Sequence, residues 1–286
     1  MDTMAMSNGA YLNQGVPEMT HAEYQKLAKL IYSVSGIALK ESKQALLNSR
    51  LGGMLAQSGR KSFSEYYDIL VSDKSGALVA ALVDRVTTNH TYFMRESAHF
   101  NYFKATVLPY LKQTVADRDL RTWCAACSSG EEAYTLAMLM DEFFELEKAR
   151  WDCKILATDL SDKVLKEAIS GVYSADRIQP LPAMWKQRYF KHRGDDQFEV
   201  QDWLKKEVIY RRFNLIDKVY PFKRKFHVIF CRNVMIYFDA ATRNQIIDKF
   251  YEITEPGGYL FIGHSESVDR SKSAYKYVMP AVYRKM

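Results

Sequence analysis

The residues best placed to do chemistry lie in Trp123-Cys124-Ala125-Ala126-Cys127-Ser128-Ser129-Gly130-Glu131-Glu132-Ala133 and at Asp159. Ser128, Ser129 and Gly130 are small enough to let a ligand approach the backbone, and a turn that enters a helix points unpaired N–H groups at it. A pyrophosphate would call for G-x-G-x-x-G or G-x-x-x-x-G-K, and neither pattern occurs. Asp159 closes the apolar run Lys154-Ile155-Leu156-Ala157-Thr158, the place where a parallel sheet grips a ribose diol. With Glu131 in the first helical turn, the pattern points to a nucleoside ligand without a pyrophosphate, and S-adenosylmethionine fits that description.

Other constellations carry less. Thr87-Thr88-Asn89-His90-Thr91-Tyr92-Phe93-Met94-Arg95-Glu96 has neither helical nor strand period, yet it gathers hydroxyls, an amide, an arginine and aromatics, a composition that suits lining a site rather than linking domains. His90 has no Cys, His or carboxylate at ligand spacing and reads as structural. His264, Ser265 and Glu266 are consecutive, so in an extended segment their side chains diverge and cannot form a triad. Cys124 and Cys127 lack a second pair with zinc-ligand spacing, and no metal site is expected.

These residues need a scaffold. Trp123–Ala126 reads as a buried strand and Tyr134, Leu136, Ala137, Met138 and Leu139 as the start of a helical stripe. From Leu120 onward strand and helix signals alternate: strand to Ala126, helix to about Lys148, strand Cys153–Thr158, helix Ser161–Ser170. The sheet resumes at Phe226–Cys231, a helix is predicted from Ala240 to about Tyr251, and Pro256-Gly257-Gly258 forms a turn into a strand over Tyr259–Gly263. Tyr275–Tyr283 adds a final edge strand. This alternation predicts an α/β fold with a doubly wound, mostly parallel sheet. Residues 185–212 break the pattern, and Gln197–Val200 with Val208–Phe213 are expected to form a small antiparallel β insertion.

Upstream, Thr20/Glu23 and Ser62/Glu65 are capping-box pairs. Apolar stripes through Leu27, Leu30 and Ile31, through Leu47, Leu51 and Leu55 from about Glu41, and through Tyr66, Ile69 and Leu70, followed by a helix near Ala77–Asp84, predict a small all-helical N-terminal domain. A helix is expected over about Ser97–Lys112, with Pro109 near its end as an alternative, earlier stop. The domain plan is a disordered tail over 1–19, the helical domain over 20–86, a site-lining linker over 87–96 and the sheet domain over 97–286.

At 286 residues and 48% hydrophobic content the chain can bury a sizeable core. A net charge of +6 is mild and fits an acidic protein surface as well as nucleic acid. The four cysteines sit mostly in predicted strands, as small buried apolar residues of a reducing cytoplasm do. No apolar run is long enough for a membrane span, and no signal peptide is visible near Met1. The basic set Lys40, Lys43, Arg50, Arg60 and Lys61 reads either as an ordinary solvated face or as a surface that docks an acidic helical partner, and the lack of interleaved stacking aromatics disfavours nucleic acid.

Taken together, Thr87–Asn89 through Arg95-Glu96, the Ser128–Glu132 turn, Ala157-Thr158-Asp159, Phe230–Asp239 and Gly263-His264-Ser265-Glu266 resemble the chemotaxis receptor methyltransferases, the CheR family. The resemblance spans roughly Thr20 to Lys285. It implies the class I S-adenosylmethionine-dependent methyltransferase fold and methyl transfer to glutamate side chains on the cytoplasmic helical region of chemoreceptors. The products would be glutamate methyl esters and S-adenosylhomocysteine. It further implies that Asn89, Thr91, Arg95, Glu131, Asp159, Asn214, Leu215, Arg232 and Asn233 line the cofactor site, with Arg95 and Tyr237 as the catalytic pair. On this reading Asp159 accepts from the ribose, Glu131 faces the cofactor's ammonium, Asn214 and Leu215 flank the adenine, and Arg95 pairs with a carboxylate of either cofactor or substrate.

Family members that grip a receptor's C-terminal pentapeptide have a longer, glycine-containing loop where this chain has Lys191-His192-Arg193-Gly194-Asp195-Asp196-Gln197, so such a tether is doubtful. Receptor binding is expected to rest on Lys43, Arg50 and Arg60, and the chain to act as a cytoplasmic monomer. The rival readings are a methyltransferase of another acceptor, and a receptor-binding adaptor that has lost transfer.

Overall fold

The computed structural model describes residues 17–286, and the predicted tail lies mostly outside them. Where it enters the described residues it is already ordered: Met19 is buried, and its backbone N–H donates to Asn48 Oδ1 at 3.0 Å.

The chain divides into two compact units. Among the described residues the first holds four α-helices, α1 (His21–Ser35), α2 (Gln44–Gln57), α3 (Phe63–Ser72) and α4 (Ala77–Val86). The first capping box forms in both directions, and in the second the serine half forms while Glu65 Oε2 accepts from Lys61 N at 3.1 Å. Thr20 N donates to Glu23 Oε2 at 2.9 Å with Glu23 N returning to Thr20 Oγ1, and Ser62 Oγ accepts from Glu65 N at 3.2 Å. Leu27, Leu47, Leu51, Leu55, Tyr66 and Leu70 are buried, as their spacing predicts. Lys43 belongs to a short 3-10 turn, Glu41–Lys43, ahead of α2 rather than to the helix itself.

The second unit, Ser35–Ile37 with Thr87–Met286, is built on a seven-stranded sheet of order β6-β2-β1-β7-β8-β10-β9. Its strands are β1 (Thr122–Cys124), β2 (Ile155–Asp159), β6 (Val208–Arg212), β7 (Phe226–Cys231), β8 (Thr254–Ile262), β9 (Lys276–Met279) and β10 (Val282–Arg284). β6, β2, β1, β7 and β8 run parallel, while β10 and β9 close one side antiparallel. Every residue of β1 and β7 is buried, as strands covered on both faces require. Alternation sorts their side chains: Phe230 stacks on Phe261 of the neighbouring strand at 4.3 Å on one face, and Ile229 and Leu260 join Trp123 and Phe250 on the other.

The covering helices are α5 (Ser97–Tyr102), α6 (Leu108–Thr114), α7 (Glu131–Phe144), α8 (Asp162–Ser170) and α12 (Ala240–Ile253). Ser161 caps α8 through Val164 N, and Asp239 caps α12 through Thr242 N at 2.8 Å. Three short helices, α9 (Ala175–Ile178), α10 (Ala183–Tyr189) and α11 (Asp202–Lys205), accompany a second, antiparallel sheet of order β3-β5-β4, made of Val172–Ser174, Gln197–Val200 and Phe190–Gly194.

The structure corrects four expectations. Val208–Arg212 is not an insertion strand; it pairs in parallel with β2, Ile155 opposite Val208 and Asp159 opposite Arg212, and edges the main sheet. The antiparallel insertion instead begins with Val172–Ser174. Ser97–Lys112 is not one α-helix, because Pro109 lacks the N–H that an unbroken ladder needs, and Phe103–Val107 widens into a π turn ahead of it. Tyr275–Tyr283 yields two strands, β9 at the edge and β10 between it and β8, and β8 starts at Thr254 with Pro256–Gly258 inside it, beside a register shift opposite Phe226–Val228.

Candidate active site

The predicted residues converge on the carboxyl ends of β1, β2 and β7, where parallel sheets bind ligands. β1 leaves the sheet through a tight turn in which Ser128 and Gly130 both adopt left-handed backbone, φ 48° and 98°. Glycine is required at 130, since a Cβ there would stand 2.9 Å from the Tyr173 hydroxyl and 3.0 Å from that of Tyr210. Asp159, at the end of β2, accepts from Ser128 N at 2.8 Å and Ser161 N at 3.0 Å, fixing its carboxylate beside the turn. Ser128 Oγ donates to Asn89 O at 3.0 Å, which brings the 87–96 segment to the same place. Phe213 N donates to Asp159 O, so β6 delivers Asn214 and the buried Leu215 next to β2.

Glu131 opens α7 and is wholly buried. Its Oε2 accepts from Ser129 Oγ at 2.9 Å and its Oε1 from the Arg177 guanidinium. Arg177 also donates to Ser129 Oγ at 2.7 Å and lies over the Tyr173 ring, 4.9 Å from its centroid.

A second assembly stands at the end of β7. The Arg232 side chain is 1% exposed and bridges two carboxylates, with Nη1 on Glu132 Oε2 at 2.9 Å and Nη2 on Glu96 Oε2 at 3.1 Å; Nη2 also donates to the Arg95 carbonyl. Arg232 is therefore a buried strut whose guanidinium is taken up inside the protein. Asn233, left-handed at φ 58°, donates from Nδ2 to Glu96 Oε1 at 3.0 Å. Glu266 accepts four backbone N–H groups, from Gly263, Asn233, Met235 and Ile236, at 2.5 to 3.2 Å. This carboxylate shapes the turn that ends in Tyr237, whose hydroxyl reaches Thr88 O at 3.5 Å.

Burial pushes the Glu96 carboxyl up, but the Asn233 amide and the Arg232 guanidinium outweigh it and hold Glu96 below its ordinary value. Burial prevails at Glu132 and Glu266 and raises both. Burial, reinforced by the charges of Arg232 and His264, lowers His99 to about 4. All four cysteines are free and buried. Glu96, His99 and His264 bring ligand-type atoms within 4.8 Å of one another, but Arg232 and Asn233 already occupy the Glu96 carboxylate, so a cation there would compete with a guanidinium for the same oxygen.

Arg95 differs from the other two arginines of the site. Its Nη1 donates to the His90 carbonyl at 2.7 Å, its guanidinium lies 5.9 Å from the Tyr92 ring centroid, and among the described residues it pairs with no carboxylate. Asn89 and Thr91 are half-buried on the same segment.

A family model described as "CheR methyltransferase, SAM binding domain" matches residues 89–283, and one described as "CheR methyltransferase, all-alpha domain" matches residues 22–87. The chain belongs to the CheR methyltransferase family. The chemotaxis protein methyltransferase of Borreliella burgdorferi is 43% identical to it over 270 residues, covering 93% of this chain and 95% of that one. A probable chemotaxis protein methyltransferase of Rhizobium etli is 38% identical over 260 residues, covering 89% and 96%. The Escherichia coli chemotaxis protein methyltransferase is 34% identical over 271 residues, covering 93% and 91%.

As a CheR family member the chain is an enzyme, a protein methyltransferase of chemotaxis whose cofactor is S-adenosylmethionine. The strand-end residues fit that cofactor's chemistry. Two anions, Glu131 and Asp159, flank a turn of small residues, complementing an ammonium and a ribose diol. Sequence reasoning about this CheR chain missed three residues. Glu96 and Glu266 stood inside motifs already noted, where a carboxylate within reach of a strand-end turn was the available signal. Arg177 gave none, lying 46 residues beyond Glu131 and outside every motif.

Proposed function

We propose that this enzyme methylates glutamate side chains on the cytoplasmic helical region of chemoreceptors, forming glutamate methyl esters for chemotactic adaptation. The observation that carries this reading is Arg95, a half-buried guanidinium on the site-lining segment whose only described hydrogen-bond partner is a carbonyl, in a site whose other arginines are committed to Glu131, Glu96 and Glu132. A cation so placed suits an incoming carboxylate.

The bound cofactor supplies a methyl group on a sulfonium centre. Asp159 holds the ribose hydroxyls, Glu131 the ammonium, and Asn214 and Leu215 the adenine, while Asn89, Thr91, Arg232 and Asn233 shape the wall. A glutamate of ordinary pKa, about 4.3, is already ionised at neutral pH, so no base is needed to activate it. Arg95 orients that carboxylate, and Tyr237 stands beside the transferring group. Rate enhancement comes from alignment and from removal of water around the nucleophile.

The exposed Lys43 and Arg60, with the half-buried Arg50 whose guanidinium caps the Val86 carbonyl, dock the acidic receptor surface. The β4–β5 hairpin turns through only Asp195-Asp196, which supports the reading that no receptor tail is gripped there. The enzyme works as a monomer in the cytoplasm. Four unpaired buried thiols suit that compartment, and among the described residues no helix is long and apolar enough to cross a membrane.

Incubation with methyl-labelled cofactor and receptor fragments should place base-labile label on glutamates. Label elsewhere, or none from protein that binds the cofactor, would overturn the reading. A receptor C-terminal peptide titrated into the enzyme should give no tight binding; tight binding would restore the tether.

A further inference from the structure

We propose that Arg177 receives the carboxylate of the cofactor's amino-acid end, giving up Glu131 to the cofactor's ammonium as it does so. The inference rests on the reading above, in which Glu131 takes the ammonium.

Glu131 is fully buried and both its oxygens are in use, Oε2 by Ser129 and Oε1 by Arg177. An ammonium arriving at this carboxylate can use the lone pairs those two bonds leave, but it meets the Arg177 guanidinium already seated there. Ser129 is buried in the turn, with its carbonyl held by the Tyr173 hydroxyl at 2.7 Å. Arg177 is the partner that can move: its side chain is 36% exposed and it stands on the four-residue helix α9.

Charge decides where it goes. An ammonium alone would set a second cation beside the guanidinium on one buried carboxylate, a repulsive arrangement in a poorly solvated place. The amino-acid end is a zwitterion and brings its own anion within a few bonds of the ammonium. Glu131, ammonium, carboxylate and Arg177 then alternate in sign, and the original ion pair opens to admit the ligand's pair. The stacking of Arg177 on Tyr173 keeps the guanidinium at the turn during the exchange. The other cations are spoken for: Arg232 is locked between Glu96 and Glu132, and Arg95 remains for the substrate carboxylate.

Calorimetry on the full chain tests this with S-adenosylhomocysteine, its decarboxylated analogue and methylthioadenosine, which lacks both charges. The wild type should bind S-adenosylhomocysteine roughly 30-fold more tightly than the decarboxylated analogue, the size of a charge-assisted hydrogen bond. In Arg177→Gln that ratio should collapse to within about threefold with methylthioadenosine affinity retained, and Arg177→Lys should recover part of it. An undiminished ratio in Arg177→Gln, or no discrimination by the wild type, overturns the proposal while leaving the methyltransferase reading intact. No heat from S-adenosylhomocysteine with folded wild type overturns both.

Discussion

The turns that follow β1 and β7 are built from the same ingredients and held in opposite ways. Each has left-handed residues, Ser128 and Gly130 in one and Asn233 in the other, and each has a buried carboxylate at its centre. Glu131 is held by side chains, a serine hydroxyl and a half-exposed guanidinium. Glu266 is held by four main-chain N–H groups. A side-chain partner can be exchanged for a ligand's charge without moving the chain. Main-chain partners define where the chain runs, so they cannot be exchanged. The first turn is thus suited to admitting a ligand and the second to keeping a fixed wall.

The comparison breaks most visibly at Glu266. Replacement by Ala leaves several buried N–H groups without an acceptor and should cost roughly 3–5 kcal/mol in urea unfolding. Glu266→Gln, which keeps acceptor geometry on one oxygen, should recover part of that loss. A Glu266→Ala variant as stable as the wild type would mean that the β7 turn is held by something else.

Arg95→Ala should act on chemistry rather than on either turn. Single-turnover transfer should slow by about 100-fold, while melting temperature and S-adenosylhomocysteine affinity stay near wild type. Unchanged transfer would remove Arg95 from the mechanism, and a parallel loss of product affinity would assign it to the cofactor instead.

Acid sharpens the contrast, because the histidines lie on the β7 side. His99 packs on His264 with ring centroids 4.5 Å apart, and Arg232 and Glu96 are the charges facing it. Its folded pKa of about 4 lies below the ordinary 6.5, so between these values the unfolded chain binds a proton that the folded chain refuses. Stability should therefore fall as pH drops from 6.5 toward 4, by up to about 1.4 kcal/mol per pH unit for one such group. His227, also lowered to about 4 by burial beside Arg121, adds a slope of the same sign. His99→Gln should flatten the measured slope without abolishing it, and an unaltered slope would show that His99 titrates normally.

Much of the scaffold was legible because its signals are local. Thr20/Glu23 and Ser62/Glu65 cap helices three residues away, and Phe226–Cys231, apolar except for His227, reads as a strand covered on both faces. The Ser128–Glu131 turn and Asp159 stood at the ends of predicted strands, and the fold brings them together through Ser128 N and the Asp159 carboxylate. The reading failed where an element's type was clear and its partner was not. Val208–Arg212 looked like a strand, but nothing within it chose β2 over the antiparallel insertion. Tyr275–Tyr283 was extended, but only pairing with Phe261 and Leu260 separated β10 from β9.

The sequence by itself determined the alternation of strand and helix, the helix caps and the family motifs, since each depends on neighbours within a few residues along the chain. Tertiary structure alone decided that Arg177 meets Glu131 across 46 residues, that Glu96 meets Asn233 across 137, and that Glu266 gathers N–H groups from up to 33 residues away. Charged side chains in loops follow no period, so nothing but the folded chain path selects which of them meet.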